Sequence, residues 1–337
     1  SGMKSAGTIK GKGKFVISLD FELLWGVRDI DSILPAYNKN ILGVWDALPK
    51  ILDFFVKHKI HGSFATVGFL FAKNKHELVQ FCPEIKPNYR NKNLSPYNGH
   101  FDLIRTEEDN KLHFAPALID LIIKTEGQEI GTHTFSHYYC LEAGQTKEQF
   151  EEDIRAAINI AKTKGILLKS IVFPRNQFNN EYLEIIKRLG ITSYRGNEPL
   201  WFHKAASSNK NELFKRIFRL IDSYINISGH HCSPLPHATN KRHPVNIPAS
   251  RFLRPCSIRL KALEGLRLNR IKKSMTFAAK NDLVFHLWWH PHNFGDNQKE
   301  NFHFLENILT HFDSLREKYN FQSVSMNELS NLTSENE

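Results

Sequence analysis

The residues best suited to bind a metal ion are two histidines, His133 and His137, which are separated by three residues. They follow directly on residues 129–132, which the sequence pattern predicts to be a strand. If the chain turns helically after this strand, positions four apart share a face, and two imidazole nitrogens can reach one ion. Because an isolated pair with this spacing often arises by chance, its meaning depends on whether further ligands lie near it.

Two carboxylates supply candidates for those further ligands. The apolar run at residues 14–20 predicts a buried strand that ends in Asp20, and Glu22 stands two positions further on. Side chains two apart in a strand point to the same face. A single acid at a strand end is usually a turn residue or a helix cap. Two acids at one strand end and two histidines at another favour a shared site for zinc or a similar divalent ion that activates water.

The elements that would position these residues alternate along the chain. Strands are predicted at residues 14–20, 62–67, 129–132, 170–173, 191–194 and 282–288, and helices at 44–55, 115–124, 145–164 and 181–189. Thr146 and Gln149 have capping-box spacing, and Gly165 is suited to end the same helix. Alternating strands and helices predict a parallel sheet with outer helices and with its chemistry at the carboxyl ends of the strands.

Two stretches of the chain do not follow this alternation. Residues 73–114 contain three prolines and many Asn and Lys residues. A compact domain tolerates such an insertion chiefly as a functional loop or lid, so we expect substrate contacts there. Residues 200–280 form a second insertion without a recognisable motif. We therefore predict an N-terminal tail with a tag remnant at 1–13, a single domain at 14–329 and a disordered tail at 330–337.

The bulk composition excludes several classes of protein. Of the 337 residues, 41% are hydrophobic and 24% are charged, and no stretch approaches the ~20 apolar residues that a membrane-spanning helix needs. The four cysteines are widely scattered and include no Cys-x-x-Cys pair, which argues against a disulfide scaffold and a thiolate zinc site. No apolar signal segment follows the first residues. We therefore expect a cytoplasmic protein.

Much of the net charge of +10 lies in one basic segment, residues 251–273. Its cations are Arg251, Arg254, Arg259, Lys261, Arg267, Arg270, Lys272 and Lys273. Such a run is most often a solvated face, but it also suits phosphate or an anionic membrane. We predict peripheral contact with anionic membranes that weakens with salt. No nucleic-acid-binding motif accompanies the charge, so nucleic acid is not expected as a partner.

The order of the motifs resembles that of the polysaccharide deacetylases, the NodB-like carbohydrate esterases of family four. That family has an acidic strand-end motif, then Gly-x-His-Thr-x-x-His, then an Arg/Pro motif, and finally a late strand with a histidine. The corresponding sequences here are Asp20-Phe21-Glu22, residues 131–137, Phe173-Pro174-Arg175-Asn176-Gln177 and Trp288-Trp289-His290-Pro291-His292. The resemblance covers residues 14–325 and implies a distorted (β/α) barrel of mostly parallel strands with outer helices.

The resemblance also implies roles for individual residues. Glu22, His133 and His137 would bind the metal ion, most readily zinc, while Asp20 would act as the base and His290 as the acid. The family usually has two adjacent aspartates, the first the base and the second a ligand, whereas Phe21 stands in the second position here. Some branches space the two acids by two residues, which supports this assignment. The exchanged roles of Asp20 and Glu22 stay open.

Several other residues have more than one candidate role. Arg175 would either orient Asp20 or bind an anionic group of the substrate, and a backbone N–H near Asn176 would stabilise the oxyanion. Three histidines compete for the position of the acid, and among them His290 aligns best: His286, His290 and His292. A further cluster would be a hydrogen-bonded loop or an accessory site: His230, His231 and His237. Three tryptophans would stack on sugar rings or pack in the core: Trp25, Trp288 and Trp289.

The implied function is removal of an N-acetyl or other acyl group from an amino sugar, in the biosynthesis of a surface polysaccharide. The sugar could be free, nucleotide-linked, lipid-linked or oligomeric. Deformylation, or hydrolysis of another non-peptide amide, would use the same residues. A non-catalytic protein that binds metal or carbohydrate is the alternative suggested by the missing second aspartate.

Overall fold

The computed structural model of the chain describes residues 11–30, 36–197, 217, 229–237 and 240–334. Its strands form one sheet in the order β6-β5-β4-β3-β2-β1-β8-β7, with β9 beside β1, and all of these pairings are parallel. The strands are β1 Lys14–Phe21, β2 Gly62–Thr66, β3 Glu129–Thr132, β4 Ser170–Ile171, β5 Ser193–Tyr194, β6 Val245–Asn246, β7 Arg251–Phe252, β8 Val284–Trp289 and β9 Gln322–Ser323. The predicted parallel sheet is confirmed.

Helices cover the outside of this curled sheet. They are α1 Asn38–Leu42, α2 Val44–His58, α3 Lys75–Phe81, α4 Glu107–His113, α5 Pro116–Lys124, α6 Lys147–Lys162, α7 Asn180–Arg188, α8 Glu264–Lys280, α9 Gln298–Tyr319 and α10 Met326–Ser334. The predicted capping box of α6 is confirmed, because the Gln149 N–H donates to Thr146 Oγ1 and the Thr146 N–H donates to Gln149 Oε1. In the described part of the chain, no helix combines the length and apolar character needed to span a bilayer.

Alternation along β1 decides which side chains reach the interior of the barrel. The odd-numbered residues, such as Phe15 and Ile17, pack in the main core beneath the helices, and burial of each contributes about 1.5–3 kcal/mol. Val16 belongs instead to a smaller interior cluster, so the even-numbered face points inward. Ser18 and Asp20 lie on that same inward face, which places the acid inside the mouth of the barrel.

One extended segment, residues 245–252, joins the two ends of the sheet. It supplies β6, which pairs with β5, and β7, which pairs with β8. Between them, the Ile247 N–H donates to Tyr194 O (2.9 Å) and the Ser250 N–H donates to His286 O (2.8 Å). The segment is therefore hydrogen-bonded to both ends of the sheet and gives it the form of a barrel.

The insertion at residues 73–114 is more ordered than a plain loop. It contains α3, whose N-terminus is capped by Asn74, and α4, which begins with a capping box at Thr106. Much of the second insertion, residues 200–280, lies outside the described residues, as do residues 1–10 of the predicted N-terminal tail. The described part of the second insertion contributes β6, β7 and α8. The domain limits at residues 13 and 329 stay predictions.

The composition predicts a disordered tail from Ser330, but α10 continues to Ser334. Its start is stabilised by Ser325 and Glu328, since each side chain accepts a hydrogen bond from the other's backbone N–H. Leu329, at 1% exposure, anchors the helix in the interior cluster. Composition alone does not reveal this anchoring.

The basic segment at residues 251–273 is not a continuous charged surface. Arg251, Arg267 and Arg270 are all buried, and the Arg267 guanidinium lies 3.9 Å from the centroid of the Phe304 ring. The three cations of the segment that are exposed are Arg259, Lys261 and Lys273. The surface available to an anionic partner is therefore smaller than the sequence suggests.

Candidate metal and catalytic site

The predicted site residues surround one cleft of about 380 Å³ at the carboxyl ends of the strands. Its lining includes all six: Asp20, Glu22, His133, His137, Arg175 and His290. The two acids are only 4% exposed, although both carry ionisable groups. The alternation of strands and helices predicts a site at the carboxyl ends of the strands, and the structure brings these residues together there. Residues 73–114 are not among the cleft-lining residues, so the substrate contacts expected there stay a prediction.

Glu22, His133 and His137 form a compact set of metal-ligand atoms. The Nε2 atoms of His133 and His137 lie 3.1 and 2.9 Å from the same oxygen, Oε2 of Glu22. The Nδ1–H of His133 donates to the carbonyl oxygen of Val172 (2.7 Å), which leaves Nε2 free to coordinate. One carboxylate oxygen and two imidazole nitrogens fit a divalent cation such as zinc with an open coordination position.

The two histidines do not converge through a helical turn, and in this respect the expectation from their spacing is wrong. The loop after β3 has positive φ angles at Thr134 (66°) and His137 (56°). Asp153 of α6 holds this loop by accepting hydrogen bonds from the Phe135 N–H (2.9 Å) and the Ser136 hydroxyl (2.5 Å). Anchored turns, rather than helix periodicity, bring the imidazoles together.

Glu22 occupies a closely packed position directly after β1. The chain forms a short 3-10 turn, Leu23–Gly26, which returns the backbone of Gly26 to the Glu22 carboxyl group. A Cβ atom at Gly26 would lie 2.0 Å from Glu22 Cδ, so only glycine fits there without displacing the carboxylate. Burial opposes ionisation of Glu22, but His290, His133 and His137 outweigh burial and hold its pKa well below the usual range.

Asp20 is oriented by an arginine that the sequence analysis did not identify. Arg195 donates from Nη1 to Asp20 Oδ1 (2.8 Å) and from Nη2 to Oδ2 (3.0 Å), and it is 2% exposed. Its guanidinium lies 4.1 Å from the centroid of the Trp288 ring. Burial acts to raise the pKa of Asp20, but the charges of Arg195 and nearby histidines lower it overall. Asp20 is therefore ionised at neutral pH.

Arg175 forms a different ion pair. Its Nη2 donates to both oxygens of Asp29 (2.9 and 2.8 Å), and its guanidinium lies 4.4 Å from the centroid of the Tyr139 ring. The orienting contact to Asp20 thus comes from Arg195, while Arg175 lines the cleft with 36% of its side chain exposed. The Asn176 N–H, near which an oxyanion donor was expected, donates to Phe173 O.

His290 is the candidate acid that faces both carboxylates. At the end of β8, its Nε2 lies 3.8 Å from Asp20 Oδ2 and 3.4 Å from Glu22 Oε1. The ring is 21% exposed and can therefore meet a substrate. His292 also lines the cleft but is 3% exposed, and burial together with the charge of His290 lowers its pKa to about 3.

His286 is an interior residue, as its place within a strand indicates. Its Nδ1–H donates to Ile247 O (3.2 Å), and Nε2 accepts from the Ser18 hydroxyl (2.7 Å). Burial, followed by the charge of Arg195, lowers its pKa to about 3, so the ring is neutral. His286 therefore connects two parts of the barrel wall and does not line the cleft.

The remaining histidine cluster and the tryptophans are mostly structural. His230 accepts from or donates to Ser274 Oγ (3.0 Å), and His231 donates from Nδ1 to Ser250 O (3.2 Å). None of the cluster, which includes His237, is among the cleft-lining residues. Trp25 and Trp289 are 1% and 0% exposed, whereas Trp288 lines the cleft.

Comparison with known families confirms the resemblance seen in the motifs. The model of the polysaccharide deacetylase family matches residues 42–194. This range contains His133, His137 and Arg175, and it excludes the strand with the two acids and the strand before His290. No curated protein matches the chain significantly.

Solved structures share the fold at low sequence identity. A Mycobacterium smegmatis protein described as a polysaccharide deacetylase has a TM-score of 0.63 at 11% identity, over 98% of this chain and 93% of its own. A Pseudomonas aeruginosa PAO1 protein with the same description has a TM-score of 0.52 at 11% identity, over 96% and 91% of the two chains. Puue allantoinase has a TM-score of 0.51 at 11% identity, over 96% and 90%. The distorted (β/α) barrel of the NodB type is therefore confirmed.

Proposed function

We propose that this chain, whose residues 42–194 match the polysaccharide deacetylase family, is a metal-dependent hydrolase that removes an N-acetyl or other acyl group from an amino sugar. The observation that carries the proposal is the convergence of three metal-ligand atoms, an oriented carboxylate and an accessible imidazole in one cleft. These are the groups that hydrolysis of an unactivated amide requires.

Glu22, His133 and His137 would hold one divalent cation, and zinc suits their nitrogen and oxygen atoms. When bound, such an ion polarises the acyl oxygen of the substrate and lowers the pKa of water. Support for this role comes from the hydrogen bond between His133 and Val172, because it fixes the tautomer that presents Nε2 to the ion.

Asp20 and His290 would move the protons. Asp20 is ionised and fixed by Arg195, so it can accept a proton from the attacking water as the new C–O bond forms. His290 lies beside it and would give a proton to the leaving nitrogen as the C–N bond breaks, which yields acetate and a free amine. Trp288 offers an aromatic surface of the cleft for the sugar ring.

The substrate we propose is an acylated amino sugar from the biosynthesis of a surface polysaccharide. A mass-spectrometric screen of N-acetylated sugar nucleotides and oligosaccharides with the zinc-loaded protein should detect loss of an acetyl group. Release of formate from N-formyl sugars, without release of acetate, would instead identify a deformylase. If no amide in the screen is cleaved when one equivalent of zinc is bound, the protein is a non-catalytic binder of metal or carbohydrate.

Variants at two positions test the assigned roles. Asp20→Asn should keep its metal but lose turnover by about 10²- to 10⁴-fold, because it removes only a proton acceptor. His133→Ala should lose the metal, because it removes a ligand. His303, an exposed residue of α9, gives the control variant His303→Ala, which should keep both properties. If Asp20→Asn loses the metal, Asp20 is the ligand and Glu22 is the candidate base.

We also propose peripheral contact with anionic membranes through the exposed part of residues 251–273. Arg259 and Lys261 lie within a short 3-10 helix, Ile258–Leu263, whose first residue, Ile258, is 77% exposed. Binding to vesicles that contain anionic lipid should weaken with added salt. Equal binding to neutral and anionic vesicles at low salt would show that the basic segment is only a solvated face.

The cytoplasmic location stays a prediction.

A further inference from the structure

The two carboxylate oxygens of Glu22 face different histidines. Oε2 faces His133 and His137, which form the metal site proposed above. Oε1 lies 3.4 Å from His290 Nε2. The candidate ligand atoms of Glu22, His290 and His292 all lie within 4.8 Å of one another. A second set of two imidazoles and one carboxylate therefore shares Glu22 with the first.

His292 is the residue that distinguishes this second set from a chance cluster. It is 3% exposed, yet no residue in the described ranges forms a hydrogen bond with its imidazole ring. Its ring contacts the rings of His290 (centroids 4.7 Å apart) and Tyr37 (5.5 Å apart). Its ring nitrogens are not among the fully buried polar atoms that lack a partner, so they keep contact with the solvent of the cleft. Because His292 lines the cleft, its partner can be a ligand.

We propose that Glu22, His290 and His292 form a second divalent-cation site, joined to the first by the Glu22 carboxylate. A carboxylate with one oxygen directed at each ion is compatible with the separation of about 3.5–4 Å seen in two-metal sites. Two imidazole nitrogens and one carboxylate oxygen suit zinc in the second site as in the first.

The geometry also indicates that the second site is the weaker one. The rings of His290 and His292 are stacked with an angle of 14° between their planes. They must rotate before both can direct a nitrogen at one ion, whereas His133 and His137 already direct Nε2 at one oxygen of Glu22. Partly exposed His290 has room for this rotation.

Occupancy of the second site has a consequence that goes beyond the proposed hydrolysis. An imidazole whose nitrogen coordinates a cation cannot donate a proton from that nitrogen, so a second ion would withdraw His290 from acid catalysis. The form with one ion would be the active form, and excess zinc would inhibit.

Metal binding by the intact chain tests this proposal without reference to catalysis. The protein is freed of metal with a chelator and titrated with Zn²⁺ by calorimetry, and bound zinc is then counted by elemental analysis. We expect two ions per chain of different affinity for the unaltered protein, and one, the tighter, for His292→Ala. The control His303→Ala, at an exposed position of α9, should still bind two. His292→Gln, which keeps a polar side chain, should also bind one.

Several outcomes would overturn the second site. A single ion at saturating zinc in the unaltered protein would do so, as would a second ion that persists in both His292 variants. Circular dichroism and the urea midpoint of each variant show whether it is folded, so loss of an ion through unfolding is recognised. Failure of the proposed function is distinguishable, because it appears as absence of acyl release when one equivalent of zinc is bound.

Discussion

Glu22 has a central position among the residues of the candidate site. Its neighbour Phe21 occupies the place where related motifs carry a second aspartate, and Phe21 is buried in the core. Glu22 instead follows Asp20 by two residues and supplies its carboxylate within the same cleft. The longer side chain, extending from just beyond the strand, then contacts His133 and His137. The site therefore retains a carboxylate although the aspartate is absent.

The close approach of Gly26 to Glu22 yields a prediction about metal affinity. Gly26→Ala would place a methyl group on the Glu22 carboxyl group and displace it from the histidines. We expect zinc affinity to fall by about 10- to 100-fold, the usual cost of disturbing the support of a ligand. Gly265→Ala is the matched control, because a Cβ atom there meets open space. Unchanged zinc affinity by calorimetry in Gly26→Ala would argue against Glu22 as a ligand.

The contact between Arg195 and Asp20 yields a prediction about pH dependence. Burial raises the pKa of Asp20, and Arg195 is the largest influence that lowers it. Arg195→Lys loses the paired hydrogen bonds, so the pKa of Asp20 should rise. Because the base acts when ionised, the acidic limb of kcat/KM should move to higher pH. Arg155→Lys, on the exposed surface of α6, should leave the limb in place, and an unmoved limb in both variants would contradict the role of Arg195.

Among single residues, the sequence identifies those that have a reactive side chain and also stand at the end of a predicted strand. Asp20, Glu22, His133 and His137 meet that condition and lie together in the structure. Arg195 also directly follows a predicted strand, but a single arginine has no spacing that relates it to another residue. Its partner is 175 positions away in the chain, so the ion pair becomes apparent only in the fold.

Among the elements, α6 stabilises the loop that carries His133 and His137, the candidate metal ligands, through Asp153. Burial raises the pKa of this carboxyl group from 3.8 to about 6, although the Ser136 hydroxyl and two backbone N–H groups act in the opposite direction. The folded protein thus retains a proton that the unfolded chain releases between about pH 4 and 6. The contribution of Asp153 to the free energy of unfolding therefore decreases as the pH rises through this range.

Asp153→Asn should remove this pH dependence while keeping an acceptor for the Phe135 N–H. The free energy of unfolding of the variant, relative to the unaltered protein, should rise from pH 4 to pH 6. The full effect of a shift of this size is up to about 3 kcal/mol. Urea denaturation at several pH values measures it, because all other ionisable groups are common to both proteins. A constant difference across the range would show that Asp153 has an ordinary pKa.

The elements with strong periodicity are the ones that the sequence predicts well. The helix predicted at residues 145–164 is observed as α6, Lys147–Lys162, because its apolar face and its capping residues agree. The helical turn expected between His133 and His137 does not form. There, buried Asp153 accepts hydrogen bonds from the loop, a contact between distant positions that local periodicity does not reveal.

For the molecule as a whole, the decisive feature is the segment that closes the barrel. β6 and β7 have two residues each, which is too short for a periodic pattern, so the sequence gives no sign of them. A network of hydrogen bonds connects this segment to Asp20, the candidate base. It passes from Ser250 to His286, then to Ser18 and Arg195, and ends at Asp20. Closure of the barrel and orientation of the candidate base are thus physically connected.

The link between Ser250 and His286 provides a test of this connection. The backbone N–H of His286 donates to Ser250 Oγ (2.9 Å), and both residues are buried. Ser250→Ala would leave this N–H without an acceptor, which should lower the free energy of unfolding by about 1–3 kcal/mol. Ser314→Ala, on the exposed surface of α9, should change it by less than about 0.5 kcal/mol.

Urea denaturation compares the two serine variants directly. If both lose the same stability, the contact between Ser250 and His286 has no special role in closing the barrel. If Ser250→Ala alone is destabilised, its pH profile becomes informative, because the same network reaches Arg195 through Ser18. If Arg195 is held less firmly, it lowers the pKa of Asp20 by a smaller amount. The acidic limb of kcat/KM should therefore shift to higher pH. The shift should have the same direction as in Arg195→Lys but be smaller.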